Sequence, residues 1–300
     1  MSRATSPSSS KPYGLALVSR VWHIARSTVY AQRCIRDLSA RGIVTRRRGP
    51  VGPCDDATLV SAIRKVLAAS FFHGEGYRKV WARLRMVGLR TSKRRVLRVM
   101  REAGLTTHRR LGPADVKLHD GTIVTERPDM MWATDTTATV TTGEGQVCVF
   151  AAVDHCTSEC LGIHAAKSGN RFEALEPIRQ AAREYLGGYA KDIAHDLSLR
   201  HDHGSAYFSD DFQKELRFLG IASSPAFVRE PEGNGCIERF FRTLKENLLW
   251  VRDFATVEEL RLALLDFRRL YNEHWILERH GYLTPAQVRA KLTTRQAEAA

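Results

Sequence analysis

The sequence predicts a basic, all-helical N-terminal region followed by a mixed α/β layer fold, a five-stranded sheet with flanking helices. Two observations carry this. Apolar residues recur at helical spacing up to about residue 101, then alternate as in strands from Met131 onward. The charge also changes sign along the chain. Residues 1–120 hold 25 Lys and Arg against 7 Asp and Glu, and residues 121–300 hold 21 against 26. A basic half joined to a mildly acidic half implies two jobs, and the basic half calls for a polyanion such as nucleic acid.

The helical region divides as follows. Residues 1–12 are Ser-rich and polar and read as a disordered tail. Residues 13–50 form a basic helical segment. Leu15, Val18 and Trp22 share a helical face, a break falls at His23–Ala25, and a second helix opens at Arg26, the outline of a helix-turn-helix. Gly42–Pro53 reads as a linker. Residues 54–110 form a second helix-turn-helix domain. Asp55 or Asp56 caps a helix with Leu59, Ile63, Val66 and Leu67 on one face, and Val80, Trp81 and Leu84 line the next. Thr91 or Ser92 caps a third helix whose apolar stripe is Val96, Val99 and Met100. Its outer face carries Lys93, Arg94, Arg95, Arg98 and Arg101, a surface suited to DNA phosphates.

Residues 111–130 read as a linker, residues 131–255 as the α/β core and residues 256–300 as a C-terminal helical extension. In the core, Met131–Val140, Gln146–Asp154 and Glu159–Ala165 are strands, the first two joined by a Thr142–Gly145 hairpin turn. A helix follows over Glu173–Leu186, stopped by Gly187–Gly188, then a short strand over Leu197–His201. Ser209 or Asp210 caps a helix ending near Leu219, and Ile221–Ser223 is the last strand.

Several classes are excluded. No stretch approaches the roughly 20 apolar residues of a membrane helix, and the first residues lack the apolar segment of a secretory signal, so the expectation is cytoplasmic. The six cysteines contain no CxxC pair. Cys156 and Cys160 with His155 and His164 fall in an apolar, strand-like run and read as buried side chains rather than a metal cluster.

Three carboxylates stand in positions where chemistry occurs. Asp135 lies mid-strand, Asp202 follows a strand end where α/β sheets bind ligands, and Glu238 opens a helix after a Gly-rich stretch. Each has a plain alternative: Asp135 as an edge residue facing water, Asp202 in an Asx turn with Gly204, Glu238 as surface charge in a first helical turn. The helix of Glu238 has Ile237, Phe240, Phe241, Leu244 and Leu248 on its apolar face, with Glu238, Arg242 and Lys245 on a neighbouring one. Arg242 and Lys245 suit DNA phosphates, with i,i+4 pairing as the alternative.

The spacing of Asp135, Asp202 and Glu238 resembles the DDE triad of the integrase and transposase superfamily. The segments "MWATDTT", "RHDHGSAYFSDDFQKEL" and "GNGCIERFFRTLKENLL" resemble the second-reading-frame transposases of the IS-three insertion-sequence group. The stretch from His73 to Leu105 resembles that group's helix-turn-helix segment. The resemblance implies an RNase H-like core, with the three carboxylates holding two Mg²⁺ ions for which Mn²⁺ substitutes, Asp135 bridging them. It also implies cleavage and strand transfer at insertion-sequence ends, double-stranded DNA as partner, a homo-oligomer on DNA, and a partner protein from an upstream frame. Supporting roles around the carboxylates fall to His203, Gly204, Asn234 and Asp154, and Gly204 and Gly235 are expected at a positive φ or in a tight turn. Two departures stand out. Ala206 precedes Tyr207 where the family often has Gln, and "YNEHWILERH" lacks the usual Arg-Pro-His. A zinc-binding module is not expected. A silent DNA-binding regulator and an RNase H-type nuclease are the rival readings. The first predicts a broken triad, and the second has no need of the helix-turn-helix region.

Overall fold

A computed structural model describes residues 4–42, 54–107, 125–226 and 234–299. The expected linkers and the Gly-rich stretch before Asn234 lie largely outside these residues. The chain forms two compact units, Met1–Gly52 and Pro53–Ala300. The first contains α1 (Gly14–Val21) and α2 (Arg26–Ala40). His23, at φ 51°, makes the break between them.

The second unit opens with three helices: α3 (Asp56–Ala68), α4 (Tyr77–Met86) and α5 (Lys93–Glu102). Their starts follow from capping chemistry. Asp55 accepts the Thr58 N–H at 2.7 Å, and Ser92 accepts the Arg95 N–H at 3.2 Å. Leu59, Ile63, Val80, Leu84, Val96 and Met100 are fully buried between the helices.

Five strands follow: β1 (Met131–Thr141), β2 (Gly145–Asp154), β3 (Cys160–Ala166), β4 (Ser198–His201) and β5 (Ala222–Pro225). They form one mixed sheet in the order β3-β2-β1-β4-β5. β1 pairs antiparallel with β2 and parallel with β4, so it occupies the centre. Alternation along β1 sends Trp132 to one face and Ala133 to the other. The Trp132 face is covered by α6 (Arg171–Tyr185) and α7 (Asp210–Leu219). The Ala133 face is covered by α8 (Gly235–Leu244) and α9 (Val257–His274). The segment from Thr256 is thus partly core: Leu260, Leu264 and Phe267 pack on the sheet. A final helix, α10 (Pro285–Ala299), is tied back by Arg289, which pairs with Asp129 at 2.6 Å and with Glu159. No described helix is long and apolar enough to cross a membrane.

Candidate active site

Pairing register brings the first two carboxylates level. Ala133 of β1 lies opposite Arg200 of β4, and the same offset carried two residues on sets Asp135 beside Asp202. Asp135, two residues on from Ala133, then points to the face that α8 covers, because side chains alternate with a period of two. Asp135 is half-buried and accepts the Thr136 N–H at 2.7 Å. Burial pushes its carboxyl up to about 6, the negative charges of Asp202 and Glu238 push the same way, and the Thr136 N–H and Lys245 oppose them. The three acids and one cation therefore sit within electrostatic reach of one another. Crowded carboxylates of this kind are relieved by a hard cation, which takes oxygen ligands. Among the described residues no three such side chains already converge as a closed ligand set.

Asp202 makes the Asx turn anticipated as its plain alternative: the Gly204 N–H donates to its Oδ1 at 2.8 Å. A Cβ on Gly204 would stand 2.9 Å from that oxygen, so a larger residue there would push the Asp202 carboxylate aside. Gly204 and Gly235 do not adopt a positive φ, which corrects that part of the expectation. The turn fixes one carboxylate oxygen of Asp202, and Oδ2 takes no protein hydrogen bond among the described residues.

Two residues beneath the carboxylates were not singled out from sequence for support. His201 is fully buried, its Nδ1 2.7 Å from the Asp202 carbonyl oxygen and its Nε2 2.9 Å from Ser223 Oγ on β5. Its ring stacks on Tyr207 at 5.5 Å. The buried Tyr207 phenol is pushed up by burial and by the charges of Asp135 and Asp202. The sequence signal for both is the segment "RHDHGSAY", in which two histidines flank Asp202. His203 is exposed and stacks on Phe208 at 5.5 Å.

Glu238 is exposed in the first turn of α8, while Ile237, Phe240, Phe241 and Leu244 of that helix are buried. From Lys245 to Leu249 the backbone becomes π-helical, which breaks the 3.6-residue period and leaves Leu248 only half-buried. Arg242 pairs with Glu246 at 3.1 Å, the plain i,i+4 arrangement. Asn234 is buried before α8 but makes no side-chain cap. Asp154 is fully buried and organises the β2–β3 turn. Its Oδ1 accepts from Thr157 N at 2.7 Å and Thr157 Oγ1 at 2.9 Å, and its Oδ2 accepts from Asp129 N at 3.0 Å.

On α5 the cationic face is partly spoken for. Asp56 pairs with Arg95 at 2.9 Å and with Arg98 at 2.6 Å, and Arg98 also pairs with Glu102 at 2.6 Å. Lys93 lies 3.9 Å from Glu278 and 4.6 Å from the Trp81 ring centre. Arg94 is exposed and forms no ion pair among the described residues. Arg26, in the other unit, is exposed at the start of α2.

Comparison with known proteins matches these regions. Residues 125–231 match the family described as "Integrase core domain", residues 219–285 a second family of the same description, and residues 53–111 the "HTH-like domain" family. The chain is 24% identical over 286 residues to the transposase InsD for insertion element IS2D of Escherichia coli (strain K12), covering 92% of this chain and 90% of that protein. It is 24% identical over 295 residues to the insertion element IS2A uncharacterized 48.2 kDa protein of Escherichia coli, covering 95% of this chain and 66% of the relative's length. The catalytic core domain of BIV integrase aligns with a TM-score of 0.43 and 18% identity, covering 57% of this chain and 99% of that one.

Proposed function

We propose that this chain is a DDE transposase of the IS-three insertion-sequence group, and that it cuts DNA at insertion-sequence ends and joins them to target DNA, a reading supported by the matches to integrase core and HTH-like domains and by the similarity to an insertion-element transposase. The carrying observation is the β1–β4 register, which brings the half-buried Asp135 level with Asp202, with Glu238 within electrostatic reach. A transferred phosphodiester needs an activated oxygen nucleophile and a stabilised leaving oxygen, and a pair of Mg²⁺ ions supplies both. Asp135, Asp202 and Glu238 would hold the ions, and Mn²⁺ would substitute.

The protein's own residues set this up. The Gly204 turn and the His201 ring hold Asp202 in place. The sheet presents Asp135, and α8 presents Glu238 one turn after its start. Lys245, within electrostatic reach of Asp135, would meet the phosphate backbone beside the scissile bond. Gly204 supports Asp202 directly, and His203, Asn234 and Asp154 support the carboxylates from further off, Asp154 by bracing the β2–β3 turn. Residues 54–110 would grip double-stranded DNA through Lys93 and Arg94, with Arg95 and Arg98 bracing α5 against Asp56. Arg242 and Arg26 would add phosphate contacts. A homo-oligomer on DNA, an upstream-frame partner and action in the cytoplasm complete the reading.

Asp202→Asn is the test. It removes a ligand charge while keeping size and the Gly204 turn. Cutting of end-containing DNA in Mg²⁺ should fall to background while end binding stays within about twofold. A variant that still cuts would remove Asp202 from the chemistry.

A further inference from the structure

A second polar cluster lies at the opposite edge of the α8 first turn. The turn from Asp154 to Ser158 meets that helix through Cys236, whose Sγ lies 3.8 Å from Asp154 O and 3.6 Å from Ser158 Oγ. The turn Glu278–His280 closes the other side. There Arg279 Nη2 donates to His155 O at 3.0 Å, to Cys156 O at 3.2 Å and to Ser158 Oγ at 2.6 Å. One buried side chain in this corner lacks a partner: His155 is 7% exposed with Nε2 unpartnered. Leaving such an atom unmatched in the interior is unfavourable, which favours a ligand that matches it.

The corner is cationic. Burial, followed by the charges of Arg279, Arg200 and Arg239, pushes the His155 ring down to about 4, so the ring is neutral near pH 7 and carries one N–H. Arg239 and Arg279 are exposed. Arg239 makes no side-chain bond among the described residues, and Arg279 keeps Nε and Nη1 free. A site with two free guanidinium edges over a buried neutral donor matches a phosphate oxygen cluster.

We propose that Arg239, Arg279 and His155 bind one backbone phosphate of DNA. Both arginines contact it from the rim, and His155 donates from the floor through Nε2. Arg239 follows Glu238 directly and so points about 100° around the helix from it. The inference rests on the DNA-joining function proposed above.

The experiment titrates a fluorescently labelled DNA duplex of arbitrary sequence against the full chain in EDTA, across salt concentrations. No chemistry occurs there, so the result stands or falls separately from the Asp202→Asn cutting test. Arg239→Gln and Arg279→Gln should each weaken binding about fivefold to tenfold near 0.1 M salt and lower the salt slope by about 1. Because both touch one phosphate, the double variant should lose about 1 in slope, not about 2. His155→Phe should weaken binding with the slope unchanged, since no charge is lost. Arg217→Gln, the same charge change on exposed α7, should leave the slope as it is. Arg239 makes no internal bond, so its variant keeps the test alive if Arg279→Gln fails to fold. An unchanged slope in Arg239→Gln, a doubled loss in the double variant, or an equal loss in Arg217→Gln would overturn the proposal.

Discussion

Asp135 shows what a single side chain carries. Its ordinary value is 3.8 and the folded value is about 6, so the native state holds the proton more tightly than the unfolded one. Stability is therefore unaffected below about pH 4, declines as pH rises between those values, and stays reduced above them. In metal-free buffer Asp135→Asn should stabilise the protein by on the order of 2–3 kcal/mol at pH 8 and by almost nothing near pH 4. Urea unfolding at the two pH values checks it, and an equal effect at both would mean the acids do not strain the fold. Much of this site was readable in the sequence. A carboxylate in a strand, another after a strand end and a third opening a helix are visible in one dimension. His201 was not, because its role depends on Ser223, which reaches it only through β4–β5 pairing. Gly204 sits in a tight turn closed on the Asp202 carboxylate rather than at a positive φ.

Among the elements, α5 separates two kinds of cation. Ser92 caps it as its sequence indicates, and its apolar stripe is buried as spaced. What spacing could not reveal is Asp56, 42 residues from Arg98 in sequence and 2.6 Å from it in space. Arg94→Ala should therefore lower the DNA salt slope by about 1 with little change in stability. Arg98→Ala should cost up to about 1 kcal/mol of stability, because its pairs are partly solvated. Salt titration and denaturant unfolding of both variants check this, and the reverse pattern would exchange their roles. Strand limits agree with the alternation to within one or two residues, since a half-buried strand writes its period plainly. The π-helical stretch after Leu244 was not legible. Its apolar residues continue at spacings that an α-helix would also satisfy.

Across the whole molecule, the change of charge sign implied two jobs, but the two regions are not packed apart. The described residues of the three-helix region share a core with the sheet. Phe72 is 4% exposed and packs edge-on against Trp275 at 4.8 Å and Phe267 at 6.3 Å. Arg83 holds the buried Glu75 at 2.6 and 2.8 Å and donates to the His274 carbonyl at 3.2 Å. Phe72→Ala should cost about 3–5 kcal/mol and shift the unfolding of residues 53–300 as one transition. Two separate transitions would show that the domains unfold independently. The acidic balance of residues 121–300 also gains a purpose, since three of its carboxylates would be neutralised by the cations they hold. That claim is tested most directly by cutting of end-containing DNA in Mg²⁺, with Asp135, Asp202 and Glu238 replaced by their amides singly and together. Groups that act as one metal site are non-additive, so each single variant should lose nearly as much activity as the triple one. A single variant that retains substantial cutting, or losses that multiply from one carboxylate to the next, would contradict the account.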